Sequence, residues 1–485
     1  MNKNVLCLTT CCVLLFGTTS PTQADDSLNP PEATSFSEFF QLGTFKGLFR
    51  YSGQYRNSNL LVLQDDSNPN SEDVSVRQYS AAGGFAGYKT APWGGFSLGA
   101  TIYGAVPIGN NPASRRGLGG LNEDRGEQES YWALGEVFAE WAKPGHLVRV
   151  GKQEMPDYRY VSLSDIRMSP ITHEGAVYEY RDKDGVSVNF GYITRMKERN
   201  AERFIDMARG ARLKLEDSGK QLPRGDFNRD YYDDSGYIGP KQEMVMAGLL
   251  YAGERYNLEA WNYFITDFVN TLYLYGDVRL SPEDSRVKWT LAAQYSDQRD
   301  VGEHIAGNID TWHWGLSLRA ASGPWSAFAN YNEVKYNEDS YDGGTIFVRW
   351  GTPQMFMSFQ VQDSELAGTK SYGGGFQYDF GLNGRLRHFV MRWRYGIYDM
   401  PDDLLQADAR QDRKEATFDL RWSQQMESGF GIFTRMKGWS TQFRLAYNNY
   451  ETGYDFEAYR EIHGYEFSTA TKDFVDARLY VEFFY

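Results

Sequence analysis

The sequence predicts an all-β fold: a transmembrane, antiparallel, up-and-down β-barrel of about 18 strands. Three observations carry this. The first is the terminal stretch Asp476–Tyr485, where Ala477, Leu479, Val481, Phe483 and Tyr485 alternate with Asp476, Arg478, Tyr480, Glu482 and Phe484. Successive strand side chains point to opposite faces, so one face here is apolar and ends in aromatics while the other is charged. A strand that closes a barrel between lipid and lumen needs that pattern, and Val481, Phe483 and Tyr485 are the candidate C-terminal assembly signal for the barrel-assembly machinery. The second observation is that connections sort by length. Tight-turn segments such as Ala91–Gly94, Lys143–Gly145, Asp182–Gly185, Ala252–Glu254 and Ser322–Pro324 alternate with long polar runs at Asn57–Glu72, Gly109–Ser130, Gln153–His173, Lys197–Gln242, Ser296–Asp310, Asn332–Asp342 and Pro401–Lys414. Short periplasmic turns and long extracellular loops are the layout of an outer-membrane barrel. The third is composition. Aromatic residues make up 16% of the chain and glycine is abundant, yet no stretch past the N-terminus reaches the roughly 18 apolar residues of a transmembrane helix.

The N-terminus sets the compartment. Lys3, the apolar run Val5–Gly17 and the small-residue site Thr22-Gln23-Ala24 read as a secretory signal peptide over residues 1–24. Thr10 before Cys11 makes a poor lipobox. Cys7, Cys11 and Cys12 all lie in this leader, so the mature chain is expected to hold no disulfide, thiol nucleophile or cysteine-bound metal. Residues 25–42 form a polar periplasmic lead-in containing Pro30-Pro31, and residues 43–485 form the barrel. At roughly 25 residues per strand with its connection, the barrel holds about 18 strands, and up to 20 fit the segmentation. The net charge of −14 argues against nucleic acid as a partner. The expected surroundings are outer-membrane lipid and lipopolysaccharide of a Gram-negative bacterium. The expected state is a monomer or a weak homotrimer.

The alternation assigns an inward face strand by strand. In His313–Ala320, Trp314, Leu316 and Leu318 oppose Arg319; in Thr345–Gly351, Ile346, Val348 and Trp350 oppose Arg349. In His388–Tyr395, Phe389, Met391, Trp393 and Tyr395 oppose Arg392 and Arg394. Arg421, Arg444, Arg149, Arg50 and Arg478 follow the same rule. An arginine facing lipid near the midplane would cost roughly 2–4 kcal/mol, so this set faces a wetted lumen as a candidate basic ladder. Each could instead brace the barrel by pairing with a wall carboxylate such as Asp379, Asp419 or Glu482. A file of fixed guanidinium groups offers an anion successive weak sites.

Chemistry of other kinds finds little support. Asp226–Tyr237 begins like a calcium loop, but Tyr231 stands where glycine is required and Tyr237 where glutamate is. The six histidines show no metal spacing, and no nucleophile elbow or phosphate loop is present. No cofactor and no enzymatic activity are expected.

Arg149-Val150-Gly151-Lys152-Gln153, Ser164-Asp165-Ile166-Arg167-Met168-Ser169-Pro170 and Thr172-His173-Glu174-Gly175 resemble the third-loop region of OprD-type porins. Gln294–Gln298, Ala306–Asp310, Phe359–Asp363, Tyr378–Phe380 and Arg394-Tyr395 follow collinearly. The resemblance implies a substrate-selective channel for small solutes, often carboxylates or amino acids, with some members passing chitooligosaccharides. It also implies a third loop folded into the lumen and a basic ladder on the wall. Asp165 and Arg167, with His173 and Glu174, are the candidate constriction residues. The chain departs from the family in its acidic fourth loop, Lys197–Gln242, and its Phe484-Tyr485 ending. The expected function is passive, charge-selective diffusion of small carboxylates or amino acids. The alternatives are an oligosaccharide porin, an outer-membrane barrel hydrolase using His173 beside Glu174, and a secreted sugar-binding sandwich.

Overall fold

The computed structural model describes residues 31–485 except 63–71, 110, 127, 214–224, 234, 353, 384–385, 387, 402–410, 426–435 and 452–468. The expected signal peptide therefore lies outside the described residues. A one-and-a-half-turn helix, α1 (Phe36–Gln41), precedes the first strand, where the sequence reading has only an unperiodic lead-in. The strands in chain order are β1 (Thr44–Val62), β2 (Glu72–Lys89), β3 (Phe96–Pro107), β4 (Tyr131–Lys143), β5 (His146–Gln153), β6 (Thr172–Arg181) and β7 (Val186–Lys197). Within the fourth loop come the short β8 (Phe204–Ile205), the helical turn α2 (Met207–Gly210) and a small hairpin, β9 (Tyr232–Asp233) and β10 (Gly236–Tyr237). Then follow β11 (Met244–Ala252), β12 (Tyr256–Ile265), β13 (Val269–Arg279), β14 (Lys288–Asp300), β15 (Asp310–Ser322), β16 (Trp325–Val334) and β17 (Lys370–Asp379). The last four are β18 (Phe389–Asp399), β19 (Arg413–Gln425), β20 (Gly438–Tyr450) and β21 (Thr469–Phe484).

β1–β7 and β11–β21 pair with their neighbours in sequence order, β7 pairs with β11, and β21 closes on β1. The result is a closed antiparallel barrel of 18 strands with β8 as one extra strand on β7. Closure leaves no unpaired edge in the bilayer, where unmatched backbone groups would be costly. The seam is pinned from both faces. Inside, Arg50 stands opposite Glu482 and Arg56 opposite Asp476. Outside, the rings of Trp422, Trp439, Phe483 and Phe49 follow one another across it, with centroids 3.9, 6.3 and 6.1 Å apart. Tyr485 completes the ladder by donating its N–H to the Gly47 carbonyl (2.9 Å).

The outward face exposes Leu249, Leu258, Leu272, Leu274, Leu291, Leu316 and Leu318. Water would not tolerate so wide an apolar band, but lipid requires it. Trp93, Trp141, Trp289 and Trp325 stand at the rim where the connections are short. This is the interfacial position aromatic rings prefer. At two of these turns Gly145 (φ 79°) and Gly185 (φ 91°) take the left-handed conformation that a tight reversal needs.

Candidate functional site: the lumen and its two inserted loops

Loop 3 (154–171) crosses the barrel. It leaves β5 rich in apolar groups, and Met155, Tyr158, Tyr160, Val161 and Met168 are buried. On one side Tyr160 donates its hydroxyl to Ser296 Oγ on β14 (3.0 Å) and Tyr263 of β12 donates to the Tyr158 carbonyl (2.5 Å). Arg159 grips Glu259 of β12 through Nε (2.7 Å) and lies 4.4 Å from the Tyr275 ring centre on β13. On the other side Arg50 of β1 donates twice to Asp165 (2.6 and 2.8 Å) and once to Glu482 of β21 (Nε, 2.8 Å). Tyr480 of β21 donates to the Ile166 carbonyl (3.3 Å). β12–β14 lie halfway round the ring from the β21–β1 seam, so the loop spans the lumen.

Loop 7 (335–369) also folds inward, which corrects the sequence expectation. Thr345–Gly351 is not a barrel strand: its residues form irregular backbone within this loop. Its alternation of Ile346, Val348 and Trp350 reflects burial inside the barrel, not a lipid face. The wall meets the loop's backbone with side-chain amides and acids. Gln298 of β14 both donates to the Phe347 carbonyl (2.9 Å) and accepts the Phe347 N–H (2.8 Å). Asn332 of β16 accepts the Met357 N–H (2.7 Å), and Tyr398 of β18 donates to the Met357 carbonyl (2.7 Å). Fully buried Glu415 of β19 accepts three successive backbone N–H groups, from Gln360 (3.2 Å), Val361 (3.0 Å) and Gln362 (2.9 Å). Each donor would otherwise be a costly unmatched group.

Together the loops divide the interior. One apolar cluster joins Tyr158, Tyr160 and Val161 of loop 3 to Met207 and Tyr232 of loop 4, Ile346, Trp350 and Phe356 of loop 7, and Trp261, Tyr263 and Tyr273 of the wall. That half is filled. Passage is left to the half bounded by β18–β21 and β1, whose inward face carries Arg392, Arg394, Arg413, Arg421, Arg444, Arg478, Lys46, Arg50 and Arg56 against the carboxylates Glu415, Asp419, Asp476 and Glu482. Asp419 accepts from Arg444 (2.7 Å) and Arg394 (3.4 Å). Asp476 accepts from Arg478 (2.6 Å), Arg56 (2.9 Å), Gln54 (2.8 Å) and loop 7 Gln360 (2.9 Å). Basic groups outnumber acidic ones, so some stay uncompensated. Arg167, from loop 3, donates to Gln54 (2.7 Å), and Arg392 donates to Gln377 (2.9 and 3.1 Å). Neither has a carboxylate within ion-pair distance among the described residues.

The sequence-derived residues fall into groups. Arg50, Arg392, Arg394, Arg421, Arg444 and Arg478 share the open wall, and Asp165 and Arg167 reach it from loop 3. Arg394 is buried with its guanidinium 4.9 Å from the Phe359 ring centre, so it stands behind loop 7 and not level with Arg392 in the passage. Arg149 is paired to Glu140 (2.5 Å) on β4. Arg319 donates to Ser317 (3.1 Å) under Phe356, away from the ladder. Arg349 is exposed on loop 7 and belongs to no strand. Among the expected braces, Asp419 and Glu482 pair with arginines, whereas Asp379 caps the Gly381 N–H (2.8 Å). His173 is fully buried, its Nε2 3.0 Å from the Trp350 carbonyl, and Glu174 pairs with Arg195 (2.7 Å). The two do not form a pair. Val481 and Phe483 lie on the outward face. Asp226–Tyr237 contains a 3-10 turn and the β9–β10 hairpin. Arg56, Gln54, Gln360, Glu415 and Asp476 were missed. Arg56 shares the β1 alternation with Arg50 and was readable; Glu415 gained its role only from loop 7.

Two loop carboxylates are displaced from their ordinary range. Asp363 of loop 7 is pushed up to about 8, first by burial and then by neighbouring Glu365. Asp157 of loop 3 is raised by burial, with Arg159 opposing.

A closed barrel with an apolar outer band and a lumen narrowed by two docked loops is an outer-membrane channel. Residues 86–468 match the family model described as outer membrane porin, OprD family, and the chain belongs to that family. No curated protein matches the chain. Among solved structures it is similar to Acinetobacter baumannii OccAB3, at 15% identity and a TM-score of 0.67 over 91% of this chain and 99% of that one. Pseudomonas aeruginosa OpdK with vanillate matches at 17% identity and a TM-score of 0.62 over 91% and 98%. Pseudomonas aeruginosa OccK9 matches at 16% and 0.63 over 90% and 97%. The protein is thus an integral porin of the Gram-negative outer membrane.

Proposed function

We propose that this porin passes small organic anions, carboxylates above all, by passive diffusion along the wall of β18–β21 and β1. One observation carries the reading: the interior left open beside the docked loops is the interior where basic groups exceed acidic ones. Arg167 and Arg392, held only by amide oxygens, are the positions at which a carboxylate can gain a bidentate partner without displacing a protein carboxylate. Confined cations next to low-dielectric walls raise the local concentration of anions. OpdK, crystallised with vanillate, is a family relative that binds a carboxylate. The same site extends to amino acids through their carboxylate.

Proteoliposome swelling tests the proposal. Purified porin should admit small monocarboxylates faster than neutral sugars or alkylammonium ions of equal size. Equal rates for anions and cations would contradict it.

A further inference from the structure

Helix α1 lies on the outside of the barrel. The chain from Glu32 to Gly43 runs along the short-turn rim. Glu32 stands 3.9 Å from Lys143 at the β4–β5 turn, and the Ala33 N–H donates to the Pro92 carbonyl at the β2–β3 turn (2.7 Å). Ser35 caps the helix by accepting the Glu38 N–H (3.2 Å), while Glu38 accepts back from the Thr34 N–H (2.8 Å) and hydroxyl (2.6 Å). The wall that α1 rests on is the lipid-facing one. Phe39 packs on Trp93 and Phe96, ring centres 6.2 and 6.4 Å away, and Phe96 alternates with inward Ser97 on β3. Tyr88, which pairs with outward Phe45, donates its hydroxyl to the Phe40 carbonyl.

Phe39 takes the protein side of the helix. Phe36 and Phe40, one turn apart, share a different face and are 68% and 45% exposed. Ser37 and Gln41, also one turn apart, form a polar face beside it. The apolar face continues through Leu42, Phe45, Trp93 and Phe96, all exposed, into the outer apolar band. A helix resting on lipid-facing rings at the interface cannot present two bare phenyl rings to water without cost, and short amphipathic helices resolve this by lying in the headgroup region.

We propose that α1 is an interfacial anchor: the Phe36–Phe40 face seats in the phospholipid leaflet on the periplasmic side and fixes the depth of β1, the strand that receives the closing strand. The Cys-free mature chain permits a direct test. Single cysteines replacing Phe36, Phe40 or Ser37 in otherwise native porin are labelled with an environment-sensitive fluorophore and reconstituted in phosphatidylethanolamine–phosphatidylglycerol vesicles. Labels at positions 36 and 40 should be blue-shifted and quenched by lipids brominated high on the acyl chain. The label at 37 should be quenched by aqueous iodide instead. Iodide quenching at all three positions with no effect of brominated lipid would overturn the proposal. So would protection at 36 and 40 that appears only at high protein-to-lipid ratio without lipid quenching, because the face would then be a contact between copies. If Phe36→Cys alone prevents folding, the Phe40→Cys and Ser37→Cys pair decides the matter on the same criteria.

Discussion

The two halves of the lumen are built on the same strand alternation and end as opposite environments. On β11–β16 the inward positions include Met244, Met246, Trp261, Tyr263, Tyr273 and Tyr275, and the loops that dock there bring more of the same. On β18–β21 and β1 the inward positions are arginines and carboxylates, and the loops reach that wall only with single polar groups: Asp165, Arg167, Gln360 and Gln362. The wall's own residues therefore decide where a loop can bury apolar surface. The passage is what remains where burial would strand charge.

The comparison is broken most severely by detaching loop 3. Deleting Asp157–Leu163 removes Arg159 and Tyr160, its far anchors, and opens the filled half to water. Single-channel conductance should rise severalfold; an unchanged value would mean the loop does not limit the passage. Next in size is Trp350→Ala, within the filled half, where Trp350 also donates to the Met207 carbonyl (2.9 Å). Loss of a buried ring of this size costs about 3–5 kcal/mol. The denaturation midpoint should fall while ion selectivity stays as in wild type. A shift of selectivity comparable to that of a wall substitution would erase the distinction between the halves.

Glu415→Gln probes the bridge between them. The carboxylate holds three loop 7 N–H groups, and an amide has one oxygen to offer. Charge-assisted bonds of this kind contribute about 1.5–3 kcal/mol. Open-channel noise should increase and stability should drop by that order, read from current recordings and urea titration. The smallest effect concerns pH. Asp363, raised to about 8 among Glu365, Glu415 and Arg349, keeps in the folded pore a proton that the unfolded chain has released by about pH 4. Its contribution is complete in acid and is lost as pH rises through about 8. Melting temperature should therefore decline between pH 6 and pH 9 in wild type and decline less in Asp363→Asn. Parallel curves would remove Asp363 from the account.

The outward face and the strand count were legible because lipid imposes one rule on every strand. Trp314, Leu316 and Leu318 against Arg319, or Trp393 against Arg392, read unambiguously. Loop 3 was legible because its apolar content needs somewhere to pack. Loop 7 was misread for a related reason. Ile346, Val348 and Trp350 are buried by loops and wall, and periodic burial cannot report what lies on the other side. The same gap hid Glu415, whose partners are backbone N–H groups of the misassigned segment. His173 and Glu174 are adjacent in sequence, yet strand alternation sends one toward loop 7 and the other to Arg195 on β7.

The central claim, that the open wall selects anions through its uncompensated arginines, is tested most directly by the reversal potential. Arg167→Gln/Arg392→Gln removes two guanidinium groups that have no carboxylate partner and retains their hydrogen-bonding ends. In a KCl gradient across a planar bilayer, wild type should show a reversal potential of anion-selective sign. The double variant should move toward zero, most strongly at low salt, where screening is weakest, with its melting temperature nearly unchanged. A reversal potential equal to wild type together with a lowered melting temperature would show that these arginines brace the barrel and do not select.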